Sequence, residues 1–292
     1  MGLFIIIFFL ILVFLGVPIA ISLIAPSVIY ILIKGVPISV VVQKMTYSLD
    51  SFTLLAVPIF IFVGALLNTS GITNRIFRFA NTLVGHLPGG LGHVNIVTNL
   101  IMAGASGSAL ADVGGVGKML IHAMHNHGYK KDFAAALTCA AATVGPIFPP
   151  SIPLIMIGVI TQTSAISLLL SGIMPAILTV IFLMLFTAFL AIRYKLPRSE
   201  RAPIKEIMLS FLSALPAILT PVALIAGMLS GLFSPTEAAA FTVVYILLIS
   251  IICYREFNLR YLLGAAVEAV MTTTVIMFTV AGAALFSYIL TI

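Results

Sequence analysis

Apolar runs fill most of this chain. They are broken less by polar positions at helical spacing than by short knots of Gly, Pro, Ser and charge. Gly2 to Ile33 carries no charged residue and is longer than the ~20 residues that cross a bilayer. Gly16-Val17-Pro18 interrupts it, which predicts two short helices joined there. Lys34 to Asp50 mixes Gly35, Pro37, Gln43 and Lys44 with β-branched residues and reads as an interfacial amphipathic arm. Ser51 to Asn74 is the next span, with Pro58 inside it and Gly71 near its end. After Arg75 and Arg78, the stretch Leu87-Pro88-Gly89-Gly90-Leu91-Gly92 predicts a turn. Asn95 to Ala105 is apolar but reaches only about the bilayer middle at ~1.5 Å per residue. Ser106-Gly107-Ser108 comes next, then a second half-length helix to Met124. The pattern is a re-entrant hairpin over about residues 90–124.

Beyond the polar loop His122 to Lys131, the stretch Phe133 to Ile192 holds 60 residues without a formal charge. That is room for two spans, the first broken at Gly145 to Pro153 within residues 133–163. Arg193 to Glu206 is the most charged stretch and reads as a linker between halves. Ile207 to Thr236 and Ala238 to Tyr254 predict two more spans, Arg255 to Arg260 a charged arm, and Leu262 to Ile292 a further span. Of the 292 residues, 62% are hydrophobic and 8% charged. The fold class is therefore all-α and polytopic in a membrane. The net charge of +6 belongs to short loops between spans, so it sets topology and implies no nucleic-acid partner. Cys139 and Cys253 sit in apolar runs and read as small packing residues.

The chemistry concentrates between Gly104 and Pro153. Ser106 and Ser108 offer hydroxyls, and Gly107 lets the backbone expose carbonyls, as a hard monovalent cation requires. The carbonyls of Thr143 to Gly145 stand beside the second break and are candidates to complete the shell. Asp112, the one acid near the tip, either stabilises the start of the descending half-helix or binds and tunes the cation. Pro146, Pro149, Pro150 and Pro153 cannot donate backbone hydrogen bonds, so neighbouring carbonyls are freed. A structural kink needs only one proline. Ser151 and the half-helix after it have N–H groups to present to a substrate carboxylate. The alternative for the small residues is a tight helix–helix contact. His122, His125 and His127 lack the spacing and companion ligands of a transition-metal site and read as a solvated loop. Glu237, behind Pro235-Thr236, reads as a first-turn cap.

The two ends of the chain repeat each other weakly. Pro18, Asp50 and Gly64 correspond to Pro235, Glu268 and Gly282 at offsets of 217, 218 and 218 residues. With the charged linker cytoplasmic, twelve of the fourteen basic residues fall on the cytoplasmic side, and the two halves start on opposite sides. That is the signature of an inverted repeat. The first repeat covers residues 1–192, the linker 193–206, and an incomplete second repeat 207–292.

Ser106-Gly107-Ser108-Ala109 with Ala111-Asp112, Gly128-Tyr129, Phe133-Ala134-Ala135-Ala136-Leu137-Thr138 and Gly145-Pro146-Ile147-Phe148-Pro149-Pro150-Ser151-Ile152-Pro153 together resemble the large membrane subunit of the tripartite ATP-independent periplasmic (TRAP) transporters, DctM-like. Leu83-Val84-Gly85-His86-Leu87 and Pro235-Thr236-Glu237-Ala238-Ala239-Ala240 fit as well. Lys118 departs from the pattern, where a small or uncharged residue is expected. The resemblance implies a sodium-coupled elevator permease in the bacterial inner membrane that imports small carboxylates such as C4-dicarboxylates or sialic acid. Its implied partners are a small four-helix membrane subunit and a periplasmic substrate-binding protein. No cofactor is implied beyond Na+ as coupling ion.

The competing readings are an intramembrane enzyme, a passive channel, and a truncated, non-functional transporter fragment. The enzyme needs a catalytic set in the spans, and no His accompanies Asp112 or Glu268. The fragment reading comes from the repeat. By the offset, about 120 residues carrying a second hairpin and a second broken helix are expected beyond Ile292.

Overall fold

Wherever the apolar runs are unbroken the chain is helical, and each Gly/Pro knot ends or bends a helix. The computed structural model describes residues 2–69, 71–256 and 258–292. Ser70, in the span expected over Ser51 to Asn74, and Phe257, in the charged arm, lie outside the described residues, as does Met1. In chain order the helices are α1 (Gly2–Phe14), α2 (Ile19–Ile33), α3 (Ser39–Leu49), α4 (Ala56–Thr69), α5 (Ile72–Val84), α6 (Gly90–Ser106), α7 (Ala109–Asp112) and α8 (Lys118–Asn126). Then come α9 (Lys131–Ala142), α10 (Ile152–Ile160), α11 (Ala165–Ser171), α12 (Ile173–Tyr194), α13 (Ile204–Leu229), α14 (Pro235–Leu248) and α15 (Leu259–Thr291). A 3₁₀ turn covers Phe52–Leu55, and π turns cover Val113–Gly117 and Ile249–Cys253. Among the described residues there is no strand.

Among the described residues, four helical segments are long and apolar enough to cross a membrane: Ala165–Tyr194, Ile204–Leu229, Pro235–Cys253 and Leu259–Thr291. Gly16 adopts φ 80° between α1 and α2, so the expected joint falls where sequence places it. Several boundaries differ from expectation: the single span expected over Ser51 to Asn74 is divided between α4 and α5, the loop expected from His122 is helical to Asn126, and α13 and α15 start three residues early, at Ile204 and Leu259. Two further differences show their cause. α13 stops at Leu229, because Gly231 turns left-handed at φ 72° and Ser234 opens the next helix. There Ser234 Oγ accepts from Glu237 N (3.3 Å) while Ser234 N donates to Glu237 Oε2 (2.7 Å). This reciprocal cap starts α14 three residues earlier than expected. α6 begins at Gly90, within the stretch expected to be a turn. Gly92 lies so close to α12 that an added Cβ would sit 2.7 Å from Thr187 Cγ2; the glycines serve helix packing as well as the turn.

The chain divides into two units, residues 1–54 with 270–292, and residues 55–269. In the first, Ile5, Ile31, Val41, Leu285 and Ile289 form a buried core. Phe9 packs on Phe286 at 5.3 Å, and Lys44 Nζ lies 4.4 Å from the centre of the Tyr288 ring. In the second, α6 is the central element, packed against α4, α5, α9, α12 and α13. Its buried residues are small or polar as often as they are bulky: Gly90, Gly92, Asn95, Thr98, Asn99, Gly104 and Ser106 among them. The outward residues of α12 are large and apolar, including exposed Phe182, Phe186 and Phe189. Polarity runs inside out, as expected where lipid is the solvent. Cys139 and Cys253, read as small packing residues, are both exposed: an apolar run alone does not make a core position.

The buried polar residues of α6 are tied to one another. Asn99 Nδ2 donates to Asn95 Oδ1 (2.8 Å), and Asn95 Nδ2 donates to Thr138 Oγ1 on α9 (2.6 Å). Thr138 Oγ1 donates in turn to the Ala134 carbonyl (2.7 Å). The chain of bonds clamps the hairpin's ascending arm to the helix that leads into the proline-rich break.

Candidate functional site

The hairpin and the broken helix meet tip to tip. α6 ends where Gly107 takes φ 61°, ψ 15°. Its backbone then runs so close to Pro150 that a side chain at 107 would collide with the Pro150 carbonyl. Only glycine satisfies both the left-handed backbone and this approach. Ile152 N donates to the Gly107 carbonyl at 3.4 Å, tying the two breaks together. On the other side of the tip, a Cβ at Gly145 would lie 3.1 Å from Asp112 Oδ2 and 3.2 Å from Ala109 N. Both clusters singled out in the sequence are therefore adjacent, and Gly107 and Gly145 are the points of closest approach.

Each predicted site residue can be placed within this arrangement. Ser106 is fully buried; its hydroxyl donates to Asp112 Oδ1 at 2.7 Å and accepts from Ser108 N at 3.4 Å. Ser108 caps α7, its hydroxyl accepting from Ala111 N at 3.3 Å. Asp112 is 1% exposed, and its second oxygen, Oδ2, has no hydrogen-bond partner among the described residues. A buried carboxylate oxygen left unpaired is costly, so this is the atom at the tip that most needs a cation or a donor. Thr143 stands apart: it is exposed and its hydroxyl turns back to the Ala140 carbonyl (2.7 Å).

The prolines do what their chemistry dictates. A continuous helix would bond the N–H groups at 146, 149 and 150 to the carbonyls of Ala142, Gly145 and Pro146, and proline has none. The Ala142 carbonyl accepts Gly145 N instead (3.0 Å), and the Pro146 carbonyl accepts Ser151 Oγ (2.5 Å). The Gly145 carbonyl is left without a helical donor, on a residue where an added Cβ would lie 3.1 Å from Asp112 Oδ2. Ser151 is buried and caps α10, its hydroxyl also accepting from Leu154 N at 3.2 Å. The peptide between Pro149 and Pro150 is cis.

Sequence reasoning missed Asn68. This α4 residue donates from Nδ2 to the Ala111 carbonyl at 3.1 Å, and its amide fills the space where Gly115 lacks a side chain. Gly64, one turn earlier on α4, presses on Ser106, with an added Cβ 3.3 Å from Ser106 Cβ. The available signal was a lone asparagine four residues after a glycine in an apolar helix. His122 and His125, read as part of a solvated loop, lie instead within α8, and His127 caps its end; no group of three or more metal-ligating side chains occurs among the described residues.

Helices long and apolar enough to span, together with a hairpin tip seated on a proline-broken helix, define a multi-pass α-helical membrane protein. Residues 6–292 match the family described as "Tripartite ATP-independent periplasmic transporter, DctM component", and the chain belongs to that family of inner-membrane permeases. It is 42% identical over 268 residues to the sialic acid TRAP transporter permease protein SiaT of Haemophilus influenzae, covering 91% of this chain and 44% of that protein. It is 42% identical over 279 residues to the large permease protein SiaM of Vibrio cholerae, covering 95% of this chain and 65% of that one. It is 36% identical over 248 residues to the C4-dicarboxylate permease DctM of Pseudomonas aeruginosa, covering 85% of this chain and 58% of that one. The chain thus spans about half to two thirds of the length of these relatives. They are named as transporter permeases, so the intramembrane-enzyme reading falls.

Proposed function

We propose that this chain supplies ligands to the ion and substrate site of a sodium-coupled permease importing small organic acid anions. The observation that carries the reading is the junction of Gly107 with Pro150 and of Gly145 with Asp112. Two interrupted helices meet there, leaving a buried carboxylate oxygen unpaired and a carbonyl without its helical donor. Such backbone is tolerated at membrane depth only where it lines a protein-covered cavity. Oxygen atoms of this kind suit a dehydrated sodium ion. The ligands fall to Asp112 Oδ2, the backbone carbonyls at Thr143 and Gly145, and the tip around Ser106, Gly107 and Ser108. Ser151 and the first turn of α10 then face the anion, beside Pro146, Pro149 and Pro150.

The relatives named for sialic acid and C4-dicarboxylate carry organic acid anions, which supports the same substrate class here. By the same reading the protein works with a small membrane subunit and a periplasmic binding protein. Residues 1–192 form one arm of an inverted-repeat elevator fold and residues 207–292 belong to the other, joined by the linker 193–206. The test is uptake into vesicles holding the protein with these partners, under an imposed sodium or proton gradient. Sodium-driven uptake that Asp112→Asn weakens supports the reading. Uptake driven by a proton gradient alone refutes it.

A further inference from the structure

Asn68 lies outside every motif in the hairpin, yet its side chain enters the hairpin's descending arm at its weakest point. That arm widens into a π turn over Val113–Gly117, directly after Asp112. A π turn holds one more residue than an α turn. It therefore rotates the helix before it by one position, roughly 100°, relative to the helix after it. With α8 held in place, narrowing the turn would rotate Asp112 away from the position where it meets Ser106 and Gly145. Asn68 ties the turn to the helix before it: it donates to the Ala111 carbonyl on α7 and seats its amide against Gly115 within the turn. Gly64 holds the other side of the tip on the same face of α4. Four glycine-or-valine positions, Val113 to Val116, offer no side-chain hydrogen bond that could fix the turn from within.

We propose that Asn68 is a positioning residue for the ion site, wedging the π turn open so that the Asp112 carboxylate stays aimed at the tip. This rests on the reading of that site given above. Nothing is asked of Asn68 as a ligand; its donated hydrogen bond and its bulk hold the turn that holds Asp112.

Asn68→Leu keeps the shape and removes the donor, Asn68→Ala removes both, and Gly115→Ala inserts a methyl where the amide sits. Gly114→Ala is the control, since an added Cβ there meets nothing within 4 Å. The purified protein in detergent is followed by amide hydrogen exchange over residues 109–118 and by sodium titration of its thermal unfolding, with choline balancing ionic strength. The expected result is faster exchange over 109–118 in Asn68→Leu, Asn68→Ala and Gly115→Ala. The sodium concentration for half-maximal protection should rise about fivefold, the equivalent of one net hydrogen bond. Gly114→Ala should match wild type. Unchanged exchange and an unchanged sodium midpoint in Asn68→Leu overturn the proposal while leaving the site intact. Faster exchange with an unchanged midpoint reduces Asn68 to a structural prop and also overturns it. A wild-type protein indifferent to sodium removes the site itself, and the proposal with it.

Discussion

Gly107→Ala is the most direct challenge to the tip-to-tip arrangement. An alanine at φ 61° costs roughly 1–2 kcal/mol for the left-handed backbone alone. The new Cβ would also fall on the Pro150 carbonyl, which is backbone and has no rotamer to escape into. The tip must withdraw, and the Ile152 N to Gly107 O bond, already 3.4 Å, is lost. A net hydrogen bond is worth about 0.5–1.5 kcal/mol. The two contributions give about 1.5–3.5 kcal/mol, concentrated at the junction. Gly128→Ala is the matched comparison, because Gly128 has φ 88° with open space around it and bears the backbone cost only. In vesicles with equal amounts of inserted protein, Gly107→Ala should lose most uptake and Gly128→Ala should keep most of it. If the two variants transport alike, the hairpin tip does not depend on its seat against Pro150, and the site is misassigned.

Three further outcomes are expected from the geometry. Ser151→Ala removes both the α10 cap and the donor to the Pro146 carbonyl, and should lower stability by about 1–3 kcal/mol, read as a lower thermal midpoint in detergent. Asn95→Ala leaves Asn99 Nδ2 only the Asn95 carbonyl and removes a donor from Thr138 in a fully buried network; it should cost about 1–3 kcal/mol and loosen hydrogen exchange in α6 and α9 together. Glu256→Gln breaks the 2.8 Å ion pair with Arg75, which is partly solvent-exposed and should matter little: under about 1 kcal/mol, with the effect vanishing at high salt.

Much of the helix plan was legible because clusters of Gly, Pro and Ser break helices, whereas single prolines such as Pro26, Pro216 and Pro221 are carried inside them. The joint at Gly16 to Pro18, the tip at Gly107, the break after Ala142 and the Glu237 cap all rest on local backbone chemistry that needs no partner. The features that escaped depend on partners. Gly90 and Gly92 read as turn residues, since nothing local reveals that α12 lies against Gly92. Cys139 and Cys253 escaped because an apolar run does not tell a buried position from an exposed one. The π turn escaped because Gly114, Gly115 and Gly117 permit many conformations, and the wide one is contacted by Asn68, more than forty residues earlier.

The strengths of the contacts around the hairpin are uneven, and the unevenness bears on coupling. Low in the hairpin, Asn95 and Thr138 share a 2.6 Å bond within a buried network. At the tip, the backbone hydrogen bond from the second break is the 3.4 Å contact from Ile152, and the rest is close approach of backbones and small residues. Packing and hydrogen bonds hold such elements together in lipid, where the hydrophobic effect gives no preference for protein over lipid tails. The tip is therefore the place where separation costs least. On the proposed reading, a cation joining Asp112 Oδ2 to the Gly145 carbonyl adds the attraction the protein contacts lack, at the point where the two breaks face each other. Removing sodium should then loosen the tip before the base. Hydrogen exchange in choline against sodium should rise first over residues 104–112 and 145–152, with α6 near Asn95 unchanged. A uniform rise along the whole hairpin would mean that the ion, if bound, is not what fastens the tip.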